Sequence, residues 1–275
     1  MTATKGGTTV DGNAPTSAED LSPECVERYR REGFVHVPGV LTPAEVEEFR
    51  TGGTELLGQD DKTHWGDRSG TVLDFVEHAQ LRSAAMLRLA LHPRVASLAE
   101  RLAGTSLRLF KLELLRKGTG RSKPTEPHFD AFALPVDEAP ATLTAWVALV
   151  DVPVERGCMT FVPGSHLLPP PEVTAHAWAA YDRPEVAWLP RVTVPLRAGD
   201  CTFHHARTVH AAGANASDAP RISATTVYAD AGAVYRPTGN QGLDELPGAG
   251  LLVPGQRLDD DRFPLLSPGV HRPAD

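Results

Sequence analysis

The sequence is poor in cysteine, has no long apolar run and carries no surplus of positive charge, and each shortage removes a class of function. Three cysteines, Cys25, Cys158 and Cys201, are isolated and odd in number. They match neither a zinc knuckle nor a disulfide framework, and they suit a reducing compartment such as the cytoplasm. No apolar run approaches the roughly 18 residues that a membrane span needs. The N-terminal segment holds no hydrophobic core of a signal peptide, so residues 1–19 are expected to form a disordered leader ahead of a single domain at 20–275. Basic residues number 27 against 35 acidic ones, a formal charge of -8. Without a basic stripe to offset repulsion from phosphates, a nucleic-acid role is disfavoured. Anionic small molecules stay possible, because a pocket can carry charge opposite to the net one. No internal repeat is visible, and the closing HRPAD carries no recognised address.

What is present is a 275-residue chain with 41% hydrophobic residues, enough for one sizeable core and long loops. Pro23 opens a helical stretch to about Arg31 behind Ser22 as N-cap. Val35, Val37 and Val40 mark a short extended run. Thr42, Pro43 and Glu45 read as the start of a second helix. Residues 58–70 are turn-rich and charged. Leu81 to Leu102 is helical in period, broken near Pro93. From Leu107 onward alternating apolar segments predict strands in LRLFKLELL, LTAWVALVDV, CMTFVP, RVTVPL, CTFHHA and ISATTVYA. No helix separates these strands, which excludes a doubly wound sheet and points to a mainly β core at about 107–230 with helices before it.

The sharpest local feature is His128-Phe129-Asp130. On a strand the side-chain period is two, so imidazole and carboxylate share one face while Phe129 points away. A second histidine would complete a 2-His-1-carboxylate face with open positions for a co-substrate and O2. His204, His205 and His210 compete for that third place, and an extended run would put His204 and His210 on one face. Arg221 and Ser223 repeat the period-two spacing, so a guanidinium and a hydroxyl can grip a terminal carboxylate together. A buried arginine without an anion would be costly. The bland alternative is a surface arginine on an edge strand.

These residues resemble the phytanoyl-CoA dioxygenase family of iron- and 2-oxoglutarate-dependent oxygenases. The resemblance is carried by PHFD, by LTAWVAL followed by GCMTFVPGSH, by AGDCTFHHARTVHAAGANAS and by RIS at 221–223. It runs from about Gly33 to about Leu266 and includes the eleven-residue step from His210 to Arg221. It implies a double-stranded β-helix (jelly roll, cupin-like) with flanking N-terminal helices. His128, Asp130 and His210 would bind Fe(II). Arg221, assisted by Ser223, would hold the distal carboxylate of 2-oxoglutarate, with Trp146, Thr144 and Lys117 as further co-substrate candidates. The default outcome is hydroxylation of an unactivated C–H bond with release of succinate and CO2. Epimerisation, desaturation, ring closure or endoperoxide formation can diverge from the same radical. Asp130 in the carboxylate position disfavours halogenation.

The high Ala, Gly, Pro and Arg content points to a GC-rich bacterial source, where such enzymes tailor secondary metabolites. The partner is accordingly expected to be a small-molecule substrate, met by a cytoplasmic monomer or homodimer. Candidate substrate contacts are Phe132, the loop with His64 and Trp65, His204, Trp178 in the irregular segment after the three prolines at 169–171, and Arg236. Two other classes compete: a cupin-like metal-dependent isomerase and a non-catalytic small-molecule-binding protein. The RIS motif and Trp146 argue against the first, and the intact HxD…H set makes the second less attractive.

Overall fold

The computed structural model describes residues 21–67, 70–120, 122–137, 141–169, 183–248, 252–259 and 261–267. The expected leader and Trp178 lie outside them. The N-terminal part opens with α1 (Pro23–Glu32), β1 (Phe34–Val37) and α2 (Pro43–Leu57). Ser22 caps α1 and accepts the Cys25 N–H at 3.3 Å. Thr42 and Glu45 close a reciprocal capping box on α2. Between α1 and β1 the chain turns on Gly33 at φ 82°, where a Cβ would stand 2.4 Å from His166 Nδ1 and 2.5 Å from Thr208 Oγ1. Only glycine fits that turn.

The stretch at 58–70 that reads as turn-rich instead forms β2 (Thr63–Asp67), which pairs with β3 (Gly70–Val76). β2 is mostly exposed at the sheet edge, so its composition carries no apolar alternation. The helical stretch expected from Leu81 divides into α3 (Ala84–Ala90) and α4 (Pro93–Ala103), with the break ahead of Pro93. Then follow β4 (Leu107–Lys117), β5 (Thr125–His128), β6 (Leu143–Ala148), β7 (Met159–Phe161), β8 (Val192–Val194), β9 (Cys201–His205), β10 (His210–Ala212) and β11 (Arg221–Asp230).

These strands make two antiparallel sheets. The larger has the order β1-β9-β6-β11-β4-β3-β2 and the smaller β5-β10-β7-β8. The outer face of the larger sheet buries Leu112, Leu114, Ala145, Val147 and Phe203 against α1–α4 in one continuous core. Its inner face meets the smaller sheet through Phe34, Trp146, Met159 and Phe161. Phe34 and Phe161 stack across that gap with centroids 4.5 Å apart. The result is a mainly β double-stranded β-helix with helices against one sheet. Strands from before position 107 complete the larger sheet.

One irregularity in β4 positions the interior. Val227 pairs with Lys111 but Tyr228 pairs with Leu109, so Phe110 is an extra residue in the ladder. Before it, Leu107 and Leu109 face the helices; after it, Leu112 and Leu114 do. The bulge therefore reverses the alternation. It leaves Phe110 in an inner cluster, stacked on Phe263 at 5.5 Å, and turns Lys111 and Glu113 towards the interior.

Candidate active site

The interior between the sheets is a cavity of about 420 Å³. β5 and β10 are neighbours in the smaller sheet, with His128 directly opposite His210. Their ring centroids are 4.2 Å apart. β5 ends at His128, so the strand does not reach Asp130 as the HxD spacing implies. Phe129 is still extended, at φ -133° and ψ 143°, which preserves the alternation for one more residue, and Asp130 then opens a 3-10 turn. The Ala131 N–H, bonded to the Ala206 carbonyl at 2.9 Å, anchors that turn. His210 likewise sits on a strand of its own, because the chain turns after His205 and crosses to the other sheet.

One nitrogen from each of His128 and His210 and one oxygen from Asp130 lie within 4.8 Å of one another, the one such group of potential metal ligands among the described residues. Asp130 Oδ1 is 3.8 Å from His128 Nε2 and 3.5 Å from His210 Nε2. Each imidazole is oriented through its other nitrogen. His128 Nδ1 donates to the Glu126 carbonyl at 2.7 Å and His210 Nδ1 to the Thr208 carbonyl at 3.0 Å. Both Nε2 lone pairs are thereby left for a metal. Burial and the adjacent His128 push His210 down to about 3, and burial lowers His128 as well. Burial opposes ionisation of Asp130, yet His210, His204 and His128 hold its carboxyl well below the usual range. Neutral imidazoles and an ionised carboxylate are the ligand forms that a divalent metal requires.

His204 lines the cavity, and both it and Thr144 reach Asp130. His204 Nε2 lies 3.1 Å from Asp130 Oδ2, and the Thr144 hydroxyl donates to the same oxygen at 2.6 Å. His205 faces the other side and its ring lies 5.3 Å from that of His166.

Arg221 and Ser223 lie on β11, a central strand, and are 1% and 0% exposed, which excludes the surface-arginine alternative. The Arg221 guanidinium stands 5.3 Å from the Trp146 ring centroid and donates to the Gly157 carbonyl at 2.9 Å. Its Nε and the Ser223 hydroxyl are buried without a hydrogen-bond partner. Burial lowers the guanidinium to about 10, so it is still charged at neutral pH. Lys117, paired with Arg221 across β4 and β11, is also fully buried and donates to the Lys123 carbonyl at 2.6 Å. Burial, reinforced by Arg221, pulls it down to about 7. Two adjacent buried basic groups of this kind could hold a carboxylate. Asn215 ties the loop behind them, donating to the Gly118 and Ala219 carbonyls.

The rest of the cavity is walled largely by Trp65, Leu73, Phe75, Phe132, Leu134 and Leu243. His64 also lines it, bonded to Asp74 at 2.8 Å. Arg236 is exposed and does not line the cavity; its backbone N–H bonds the Pro135 carbonyl. Sequence reasoning missed Lys111, Glu113 and Glu77, an ion cluster in the cavity wall in which Lys111 is buried, the two glutamates are partly exposed and both N–O distances are 2.8 Å. Charged residues at period two inside an apolar strand were the available signal, hidden by the bulge.

The phytanoyl-CoA dioxygenase (PhyH) family model matches residues 29–223. The chain belongs to that family. The crystal structure of the epimerase SnoN in complex with Fe3+, alpha ketoglutarate and nogalamycin RO superposes on this PhyH protein with a TM-score of 0.85 and 60% identity, covering 89% of this chain and 98% of that one. The carbocyclase SnoK from nogalamycin biosynthesis gives 0.82 and 43%, over 93% and 100% of the two chains. Phytanoyl-CoA dioxygenase domain-containing protein 1 of Mus musculus is 25% identical over 82% of this chain and 97% of its own. The 2-His-1-carboxylate donor set fits iron, and the unpartnered Arg221 Nε and Ser223 hydroxyl fit an anion beside it. This PhyH protein is an Fe(II)/2-oxoglutarate-dependent dioxygenase, with O2 as its second co-substrate. No helix among its described residues is long and apolar enough to cross a membrane.

Proposed function

We propose that the enzyme inverts a stereocentre of a nogalamycin-like secondary metabolite, rather than hydroxylating it. The likeness to the epimerase SnoN, at 60% identity over 89% of this chain, carries the reading. His128, Asp130 and His210 hold iron. Arg221 and Ser223 bind the distal carboxylate of 2-oxoglutarate, Trp146 flanks it and Lys117 adds a second positive charge. Bound iron, with 2-oxoglutarate and O2, supplies the oxidant that removes a substrate hydrogen atom as succinate and CO2 form. The protein's share is placement: the aromatic and aliphatic wall from Trp65 to Leu243 seats the apolar part of the substrate, and Glu77 and Glu113 accept hydrogen bonds from its polar substituents. Holding one C–H bond over the metal face selects which hydrogen is lost. The enzyme acts in the cytoplasm on a small molecule, without a nucleic-acid partner.

The deciding experiment incubates the purified protein anaerobically with Fe(II), 2-oxoglutarate and nogalamycin RO, then admits air with ascorbate present. Ascorbate supplies the reducing equivalents that a redox-neutral inversion needs beside the O2 consumed. The expected product has the mass of the substrate, gains a deuterium in D2O and appears with succinate. A product with an added oxygen would establish hydroxylation. One lacking a pair of hydrogens would establish ring closure or desaturation, the former being the chemistry named for SnoK. Either result overturns the epimerase reading. Asp130→Ala should abolish iron binding, whereas Arg221→Ala should keep iron and lose 2-oxoglutarate.

A further inference from the structure

We propose that Thr144 and His204 are positioning residues that make Asp130 a one-oxygen ligand and so preserve an open coordination place on the metal. Three observations converge. Thr144 and His204 are directly paired across β6 and β9, so one register fixes both side chains on the inner face. Both are buried, at 0% and 1% exposed. Both reach the same atom, Asp130 Oδ2, at 2.6 and 3.1 Å, while Oδ1 faces His128 and His210.

The tautomer of His204 follows from its surroundings. Its Nδ1 is buried with no partner. A hydrogen there would be an orphaned donor, which is costly, whereas a hydrogen on Nε2 is satisfied by Asp130. His204 is therefore a donor to the carboxylate and stands outside the ligand set, although it is a third histidine in the same cavity. Two hydrogen bonds on Oδ2 occupy the lone pairs that a chelating carboxylate would turn to the metal. Without them the carboxylate can rotate or chelate, and a chelating carboxylate takes a place that 2-oxoglutarate or O2 needs. Both residues act on the metal centre alone, whichever organic substrate the cavity takes.

The test uses the full-length protein loaded with Mn(II), whose proton relaxivity scales with the number of metal-bound waters, together with Fe(II) affinity by competition with a chelator. Thr144→Val keeps shape and removes the donor; Thr144→Ser restores it. His204→Leu removes the donor, and His204→Gln returns an amide N–H near the Nε2 position. Thr144→Val and His204→Leu are expected to weaken metal binding about 10–100-fold, as loss of supporting hydrogen bonds does at other metal sites. Relaxivity per bound Mn(II) should also fall, and Thr144→Ser and His204→Gln should recover both readouts. Wild-type affinity and relaxivity in Thr144→Val and His204→Leu would overturn the proposal. Weakened affinity with unchanged relaxivity would overturn the one-oxygen assignment. If both His204 variants lost metal while Thr144→Val kept it, His204 would be a ligand and the proposal would fall.

Discussion

Raising the pH should weaken 2-oxoglutarate binding through Lys117. This amine is fully buried, and burial reinforced by Arg221 pulls it from 10.5 down to about 7. A dianion arriving beside it favours the ammonium form, so the pKa rises in the complex. Between about 7 and the raised value, binding takes up a proton, and affinity falls up to about tenfold for each pH unit. Below pH 7 the lysine is already protonated and the affinity levels off. The sign for folding is opposite in the empty protein. The unfolded chain, with its lysine near 10.5, binds more protons than the native one above pH 7, so this group adds stability as pH rises towards 10. The assay is titration of the visible band of the anaerobic Fe(II) complex with 2-oxoglutarate at several pH values. Lys117→Met should flatten the profile at the weaker limit. A wild-type affinity that is level from pH 7 to 9 would refute the linkage, as would an unchanged slope in Lys117→Met.

Gly33→Ala should cost at least about 2 kcal/mol in urea unfolding, from the left-handed backbone and the encounter with His166 and Thr208. Thr42→Ala, which opens the capping box of α2, should cost about 1 kcal/mol by the same measurement and leave iron affinity unchanged. Chelation of iron should stop succinate formation, and Fe(II) but not Zn(II) should restore it. Phe132→Ala should raise KM for the organic substrate with little change in 2-oxoglutarate affinity, since Phe132 lines the cavity from the turn after β5, whereas Arg221 and Ser223 stand on β11.

Much of the architecture was legible because local signals and burial agree. Ser22-Pro23 and Thr42-Pro43-Glu45 mark helix starts that the structure keeps. The apolar runs around Trp146, Phe203 and Thr225 are central strands, where alternation and composition both speak. β2 was illegible because an exposed edge strand needs no apolar face. The histidine question could not be closed by period alone. His204 and His210 both face the cavity, but from different sheets, and only the crossing between β9 and β10 shows which is beside His128. Likewise, Thr144 as a partner of Asp130 depends on a turn that begins two residues past the end of the strand. No spacing rule encodes that meeting.

The bulge at Phe110 has a consequence for how such an enzyme can diverge. Because one surplus residue sets which way Lys111, Glu113 and Leu115 point, a single deletion there would exchange cavity and helix-facing sides along the rest of β4. Length changes in this strand are thus closed to gradual variation, and only identity changes at fixed positions can retune that wall. The β2–β3 hairpin and the short helix at Gln241–Asp244 border the same cavity from the periphery, through Trp65 and Leu243. Insertions there leave the ladder intact. New substrate ranges can therefore be acquired at the rim by altering length, while the floor changes only residue by residue.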